Sequence, residues 1–365
     1  MPKETSPDLP EINFPTPTFE EWLEAAKNEL NGANPIEKLS LSKGSLKIKP
    51  YYTASPETNQ KDFSLPPSEN LYYGPRCWHN LPHIVISNEK QANQAALQSL
   101  AMGADGILFE PRKSDIQFDL LFNQIEPEFC TLSWLIDSEY SDSIADLNFW
   151  IEKNEVRKNI SGIVIWKEYP KGKLHPLLTC KQISPFGVLV KSEPDADTEI
   201  AAALAKAIHL IESQRNQNIS MDAALNGIAF SLSIGTDFFL EIAKLKSLRN
   251  LWYQIQQAYG ITSALPVHIH ATSKVWLNKE YEPHGNMIKS TTSAIASILG
   301  GCDSLTLEAG DEQEMLNRIA RNVSSILREE SYLSKVADPT AGSYYLDSLT
   351  ADLSEKAWQK FQSNV

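Results

Sequence analysis

Little in this sequence announces a chemistry. Its four cysteines, Cys77, Cys130, Cys180 and Cys302, are scattered with no C-x-x-C spacing. Neither a disulfide framework nor a zinc site is expected from them; buried reduced thiols are. No apolar run approaches the roughly 18–20 residues of a membrane span. The opening Met1-Pro2-Lys3-Glu4-Thr5-Ser6-Pro7-Asp8 lacks the basic-then-apolar layout of a signal peptide. A cytoplasmic protein with no membrane partner is the expectation. Positive charge is short too: 33 Lys and Arg face 46 Asp and Glu, for a formal net charge of −13. That speaks against a nucleic-acid partner, because phosphates are held by an excess of Lys and Arg. A small anion on a local cluster stays possible. There is no G-x-x-x-x-G-K-[ST], no G-x-S-x-G and no H-E-x-x-H.

What is present is an ordinary globular composition, 42% hydrophobic and 22% charged over 365 residues. That length suits one large α/β-barrel domain with an extra segment, or two ordinary domains. Residues 1–80 differ from the rest, because Pro2, Pro7, Pro10, Pro15, Pro17, Pro35, Pro50, Pro56, Pro66, Pro67 and Pro75 interrupt nearly every possible element. Only Thr18 to Leu30 reads as a helix, with Phe19, Trp22, Leu23, Ala26 and Leu30 at helical spacing and Thr18 with Glu21 as a capping box. The arm's aromatic residues, from Phe14 and Phe19 to Phe63, Tyr72 and Tyr73, carry too much apolar surface for simple disorder. The arm should lie on its own barrel or on a partner subunit, and subunit contact is the favoured role.

From residue 81 to 365 strand-like and helical runs alternate. The strands read are His83–Ser87, Gly106–Glu110, Cys130–Asp137, Gly162–Lys167, Gly187–Ser192, Ile228–Gly235, Val267–Ser273 and Ser304–Glu308. Helices are read at Glu89–Met102, Ser143–Lys153, Asp197–Gln214, Asp237–Tyr259, Asn286–Leu299 and Glu312–Glu329, with cap pairs at Asn88/Gln91 and Asp311/Glu314. About eight β-then-α units are the number that closes a parallel β/α (TIM) barrel. A doubly wound sheet would carry a G-x-G-x-x-G after its first strand, and none is there.

The late strands alternate strictly. Phe230-Ser231-Leu232-Ser233-Ile234, Val267-His268-Ile269-His270-Ala271-Thr272 and Ser304-Leu305-Thr306-Leu307-Glu308 each put polar side chains on one face. The flanking helix stripe of Phe238, Ile242, Leu245, Trp252 and Ile255 is apolar, so that polar face cannot point outward without stranding hydroxyls against hydrocarbon. It must point inward. Ser231, Ser233, His268, His270, Thr272, Ser304 and Thr306 are therefore the candidate lumen residues. They line a tunnel for an extended polar ligand, or they bond to one another and to a few trapped waters. His270, nearer the C-terminal rim, is an acid/base candidate or a satisfied lumen histidine. His79 and His284 read as surface or loop groups. The strand ends offer Glu110, Arg112, Asp137, Lys167, Glu168, Lys191, Glu193, Asp237, Lys274 and Glu308, each by itself the ordinary charge of a strand emerging into water. No metal ligand set has a recognisable spacing.

Four stretches resemble the cobalamin-dependent acyl-CoA mutase family, methylmalonyl-CoA mutases in particular. They are Phe19-Glu20-Glu21-Trp22 with Pro35-Ile36-Glu37-Lys38-Leu39; Thr236 to Leu245 with Leu248-Arg249 and Leu251-Trp252; Asn286-Met287-Ile288 with Thr291-Thr292 and Gly300 to Leu305; and Arg318-Ile319-Ala320-Arg321-Asn322 through Leu327-Arg328-Glu329-Glu330-Ser331 to Val336-Ala337-Asp338-Pro339 and Gly342-Ser343-Tyr344-Tyr345. The resemblance implies a barrel whose hydroxyl-lined axis is threaded by the pantetheine arm of CoA, making the seven lumen residues CoA-lining candidates. It also implies adenosylcobalamin on a separate C-terminal domain as radical source. The sequence departs from the catalytic chains of the family. They carry a Tyr-His pair at the end of the fifth strand, where this sequence has Phe186 to Ser192. They carry His-x-Gln-Thr-Ser on the seventh, where Thr272 replaces the Gln. Their Arg-rich segment after the arm is reduced to Tyr72-Tyr73-Gly74-Pro75-Arg76-Cys77-Trp78, and a cobalamin-binding D-x-H-x-x-G is missing. These losses resemble the family's small subunit. The expectation is a barrel with no catalytic residues and no cofactor or metal of its own, stabilising a catalytic large subunit that carries adenosylcobalamin, or self-associating in its absence. The alternative is an active acyl-CoA isomerase barrel served by a separate cobalamin-binding chain.

Overall fold

The computed structural model describes residues 17–53, 64–70, 72–156, 160–169, 182–215, 219–261, 266–273, 285–308 and 314–364. Cys180, Lys274, His284, Asp311, Phe14 and Phe63 lie outside the described residues.

Nine strands hydrogen-bond in the order β3 (His79–Asn80), β11 (Ser304–Thr306), β10 (His268–Ser273), β9 (Ile228–Ile234), β8 (Ile183–Leu189), β7 (Gly162–Trp166), β6 (Thr131–Ile136), β5 (Gly106–Pro111), β4 (His83–Ile86), and every neighbouring pair is parallel. The two ends of that row are halves of one segment, residues 79–86, split at Leu81-Pro82. The first half bonds to the last strand, where Leu81 N–H donates to the Leu305 carbonyl at 2.9 Å. The second bonds to the next strand, where Leu108 N–H donates to the Pro82 carbonyl at 3.0 Å. The sheet thus closes on itself as an eight-stranded barrel. Pro82 has no N–H to give, so it sits where the segment passes from one partner to the other.

The strands alternate faces as a barrel requires. Ile107, Phe109, Leu132, Trp134, Phe230, Leu232 and Ile269 point outward into two large clusters with the helices. Leu81, Leu108, Ile163, Ile165 and Ala229, with Leu135 and Leu189 partly buried, form a third cluster that shares no buried residue with those two. They fill the inside of the early half of the barrel. The surrounding helices are α3 (Glu89–Ala101), α5 (Ser143–Lys153), α6 (Ala196–Arg215), α8 (Phe238–Ala258), α9 (Gly285–Leu299) and α10 (Glu314–Glu329), with short α4 (Phe118–Leu121) and α7 (Met221–Asn226). A last helix, α11 (Tyr344–Asn364), packs against α6 and α8 through Leu346, Leu349, Leu353, Ala357 and Phe361. It lies beyond the last helix expected from the sequence, Glu312–Glu329, because Tyr344, Leu346 and Leu349 mix with Asp and Ser in a weak stripe.

All eight expected strands are present, and one is displaced. The fifth runs from Ile183 to Leu189, not from Gly187 to Ser192. Pro185 sits at an irregularity where Ile163 pairs Ser184 and Ile165 pairs Gly187. A bulge leaves an N–H unused, which is where a strand tolerates proline.

Part of the arm lies on this chain's own barrel. α1 (Phe19–Glu29) carries the Thr18/Glu21 capping box, and α2 (Pro35–Leu39) follows. Then β1 (Leu41–Lys43) and β2 (Leu46–Ile48) form an antiparallel hairpin whose Leu46 and Ile48 enter the large core cluster. Ser45 donates to Asp197, Lys43 pairs with Asp237 at 2.9 Å, and Tyr52 stacks edge-on against Tyr345. Trp78, just before β3, is fully buried. α1 itself buries no residue; its Trp22 stacks on Tyr51 with centroids 4.8 Å apart.

Candidate functional site in the barrel lumen

Strand register carries the polar face inward. His270 pairs across the ladder with Ser231 on one side and Ser304 on the other. One hydrogen-bonded chain runs across the axis: Ser231 Oγ lies 2.8 Å from His270 Nδ1, His270 Nε2 lies 2.9 Å from Thr306 Oγ1, and Thr306 Oγ1 donates to the Leu81 carbonyl at 2.6 Å. Thr306 has a single proton and gives it to the carbonyl, so it must accept from His270 Nε2–H. Nδ1 is then the acceptor, and Ser231 donates to it. The imidazole is neutral, and both its nitrogens are used. Burial, with His268 and His83 nearby, pushes its pKa down to about 3.

One layer nearer the N-terminal face, His268 Nε2 lies 2.8 Å from Ser304 Oγ, and burial pushes its pKa down to about 4. In the same layer His79 Nδ1 meets Thr131 Oγ1 at 2.8 Å. The loop reading of His79 is therefore corrected: it stands in β3 with its ring inside the barrel, and burial lowers its pKa. Ser233 and Thr272 sit opposite each other one layer above His270, half-buried at the C-terminal end. Thr272 Oγ1 donates to the Ser273 carbonyl at 3.3 Å. The seven candidates thus divide into a sealed chain (Ser231, His270, Thr306), a pair below it (His268, Ser304) and two groups near the mouth.

The mouth holds a network the sequence did not assemble. Glu110 Oε1 accepts from Lys167 Nζ at 2.6 Å and pairs with Arg112 at 3.0 Å, and its Oε2 lies 2.9 Å from His83 Nε2. His83 Nδ1 reaches Glu308 at 3.3 Å, and Lys167 lies 3.8 Å from Asp137. Burial alone would discharge both partners. The hydrogen bonds win: His83 is raised to about 9 and Glu110 lowered to about 2. Strand ends remote in sequence meet here because parallel strands of a barrel all end on one rim. The missed signal was the alternation His79, Leu81, His83, Val85, which Pro82 disguised as a loop. Neither of the cavities bordering the barrel, about 280 and 260 Å³, is lined by His268, His270, Ser304 or Thr306. No group of three His, Cys, Asp or Glu among the described residues could hold a metal. No described helix is long and apolar enough to cross a membrane.

This architecture defines an α/β protein of the closed parallel β/α-barrel class, with an interior half apolar and half hydroxyl and imidazole. Residues 183–364 match the family model of methylmalonyl-CoA mutase. The methylmalonyl-CoA mutase small subunit of Porphyromonas gingivalis is 27% identical over 96% of this chain and 63% of its own length. A methylmalonyl-CoA mutase of Cereibacter sphaeroides is 26% identical over 94% of this chain and 58% of its own. A small subunit from Streptomyces virginiae is 32% identical over 46% of this chain and 28% of its own. The chain belongs to the methylmalonyl-CoA mutase family. It spans about three-fifths of the length of the first two of these relatives. A solved Yersinia pestis dihydropteroate synthase aligns over 80% of this chain and 99% of its own at 13% identity, with a TM-score of 0.38.

Proposed function

We propose that this chain is a small, non-catalytic subunit of a methylmalonyl-CoA mutase. Its barrel would brace a catalytic large subunit, and the complex would interconvert methylmalonyl-CoA and succinyl-CoA. The observation that carries the reading is the saturated lumen. His270 has both ring nitrogens engaged and a pKa near 3, so it is a poor proton shuttle at neutral pH. The early half of the axis is occupied by Leu81, Leu108, Ile163 and Ile165. At the fifth strand, where catalytic chains of the family are expected to present Tyr-His, the inward positions are Gly187 and Leu189.

The family resemblance places adenosylcobalamin on a separate domain and not in the barrel. Among the described residues the barrel's own histidines are engaged: His83 is held between Glu110 and Glu308, and His270 is sealed below. We assign the cofactor to the partner. What these residues supply is rigidity: a barrel closed by hydrogen bonds inside and by ion pairs over the rim.

The test is turnover and association together. The isolated chain with adenosylcobalamin and methylmalonyl-CoA should form no succinyl-CoA, and it should co-elute with a catalytic mutase chain when the two are co-expressed. Turnover by the isolated chain would overturn the reading, and so would failure to associate.

A further inference from the structure

The cavity of about 260 Å³ lies outside the lumen, between the split first strand, the end of β11 and helices α3 and α10. Its walls are small by sequence: Ala95 and Ser99 on α3, Ala320 on α10, and the Pro82 interruption in the strand. Much of the space between strands and helices is filled by Ile, Leu, Phe and Trp. Here a gap is left, and Arg321 lines it.

Arg321 is poorly matched where it stands. Its Nη1 reaches only Ser99 Oγ at 3.4 Å and its Nη2 only Met102 Sδ at 3.2 Å. No carboxylate lies within ion-pairing distance of it among the described residues. Arg328, two turns further along the same helix face, shows what a matched guanidinium looks like in this protein. It forks onto Asp105 at 3.1 and 2.8 Å and gives Nη2 to the Trp78 carbonyl at 2.7 Å. Asn80 ties the strand to this turn of α10 by donating to the Arg321 carbonyl at 3.1 Å. The carboxylate that does line the cavity, Glu308, is paired with His83.

We propose that this cavity is a phosphate-binding site, with Arg321 as its anchor. A guanidinium offers donors in a planar fork that matches two oxygens of an oxyanion. The walls mix polar groups, among them Asn80, Ser99 and Asn317, with Ala95, Leu307 and Ala320. Asn317 on the same helix and the Ser99 hydroxyl on the opposite one add donors from other directions, which suits a tetrahedral anion better than a flat carboxylate. The source is free phosphate or the phosphoryl end of a small phosphomonoester. The site is independent of the subunit role proposed above.

Titration calorimetry on the full chain at constant ionic strength tests it, with inorganic phosphate, glycerol phosphate, acetate and chloride as probes. Saturable phosphate or phosphomonoester binding in the millimolar range is expected, and the tighter of the two identifies the source. Arg321→Gln should weaken binding roughly tenfold or more, and Asn317→Ala, a milder change that leaves the helix intact, should weaken it less. Near-ultraviolet circular dichroism of each variant guards against loss of fold. Acetate or chloride binding as well as phosphate would overturn the proposal, as would no saturable heat, or unchanged binding by a folded Arg321→Gln.

Discussion

Sealing neutral histidines inside a barrel makes the protein sensitive to acid, and the size of the effect can be worked out. His268 and His270 have folded pKa values of about 4 and 3 against 6.5 when unfolded. A group whose folded pKa is depressed binds its proton in the unfolded state first, so stability falls as pH drops below 6.5. Between pH 6 and 5 the unfolded chain holds most of both protons and the folded chain neither. At about 1.36 kcal/mol per unit for each group, the pair lowers stability by roughly 2.5 kcal/mol per pH unit. His79, also depressed, adds to the same side. His83 acts in reverse. Raised to about 9, it contributes stability that is complete below 6.5 and is lost as pH climbs towards 9. Stability should therefore peak near pH 6.5. Urea unfolding followed by tryptophan fluorescence at pH 7, 6, 5.5 and 5 measures the slope. The decisive comparison is His270→Gln, whose amide can both donate to Thr306 and accept from Ser231 but does not titrate. Its slope between pH 6 and 5 should be shallower by about 1.2 kcal/mol per unit, and carboxylates common to both proteins cancel in the difference. Equal slopes would mean that His270 titrates like an exposed imidazole, and the sealed lumen would be wrong.

Other outcomes follow from single contacts. Asp338→Asn should cost about 3–5 kcal/mol, because it leaves Lys246, 1% exposed and 2.7 Å away, as a buried uncompensated charge; adding Lys246→Met should recover much of that loss in a double-mutant cycle. Burial would raise the Asp338 pKa, but the Lys246 hydrogen bond outweighs it and the net shift is downward, so this pair's stability is present at neutral pH and is lost in acid. Glu110→Gln should bring His83 down from about 9 towards 6.5, read by the chemical shift of its ring protons against pH; an unmoved value would rule out the mouth network. Gly44→Ala should destabilise the hairpin by about 1–3 kcal/mol, since Gly44 has φ of +56° and a methyl group there would collide with Asp195. Pairing it with Asp195→Ala should relieve the collision but not the backbone strain.

Periodicity made much of this protein legible. Alternation in Phe230–Ile234, His268–Thr272 and Ser304–Glu308 determined which side chains face the axis, because a strand beside apolar helices has only one place to put hydroxyls. The count of strand-helix units determined the barrel, and caps at Thr18 and Asn88 located helix starts. Elements with a proline inside them were placed less well: the first half of strand one, with His79, lies before Pro82, and strand five starts at Ile183, two residues before Pro185.

What the linear sequence could not decide was pairing at a distance. Glu110, Lys167 and Glu308 each looked like an ordinary charged strand end and His83 like the start of a strand, and only closure of the sheet brings them onto one rim. Nor could the sequence say whether Ser231, His270 and Thr306 leave room for a ligand or spend their hydrogen bonds on one another. That depends on register and strand separation to within a few tenths of an ångström, which only packing of the closed barrel sets. Which face a residue occupies follows from its neighbours in the chain; which partner it finds there follows from the fold.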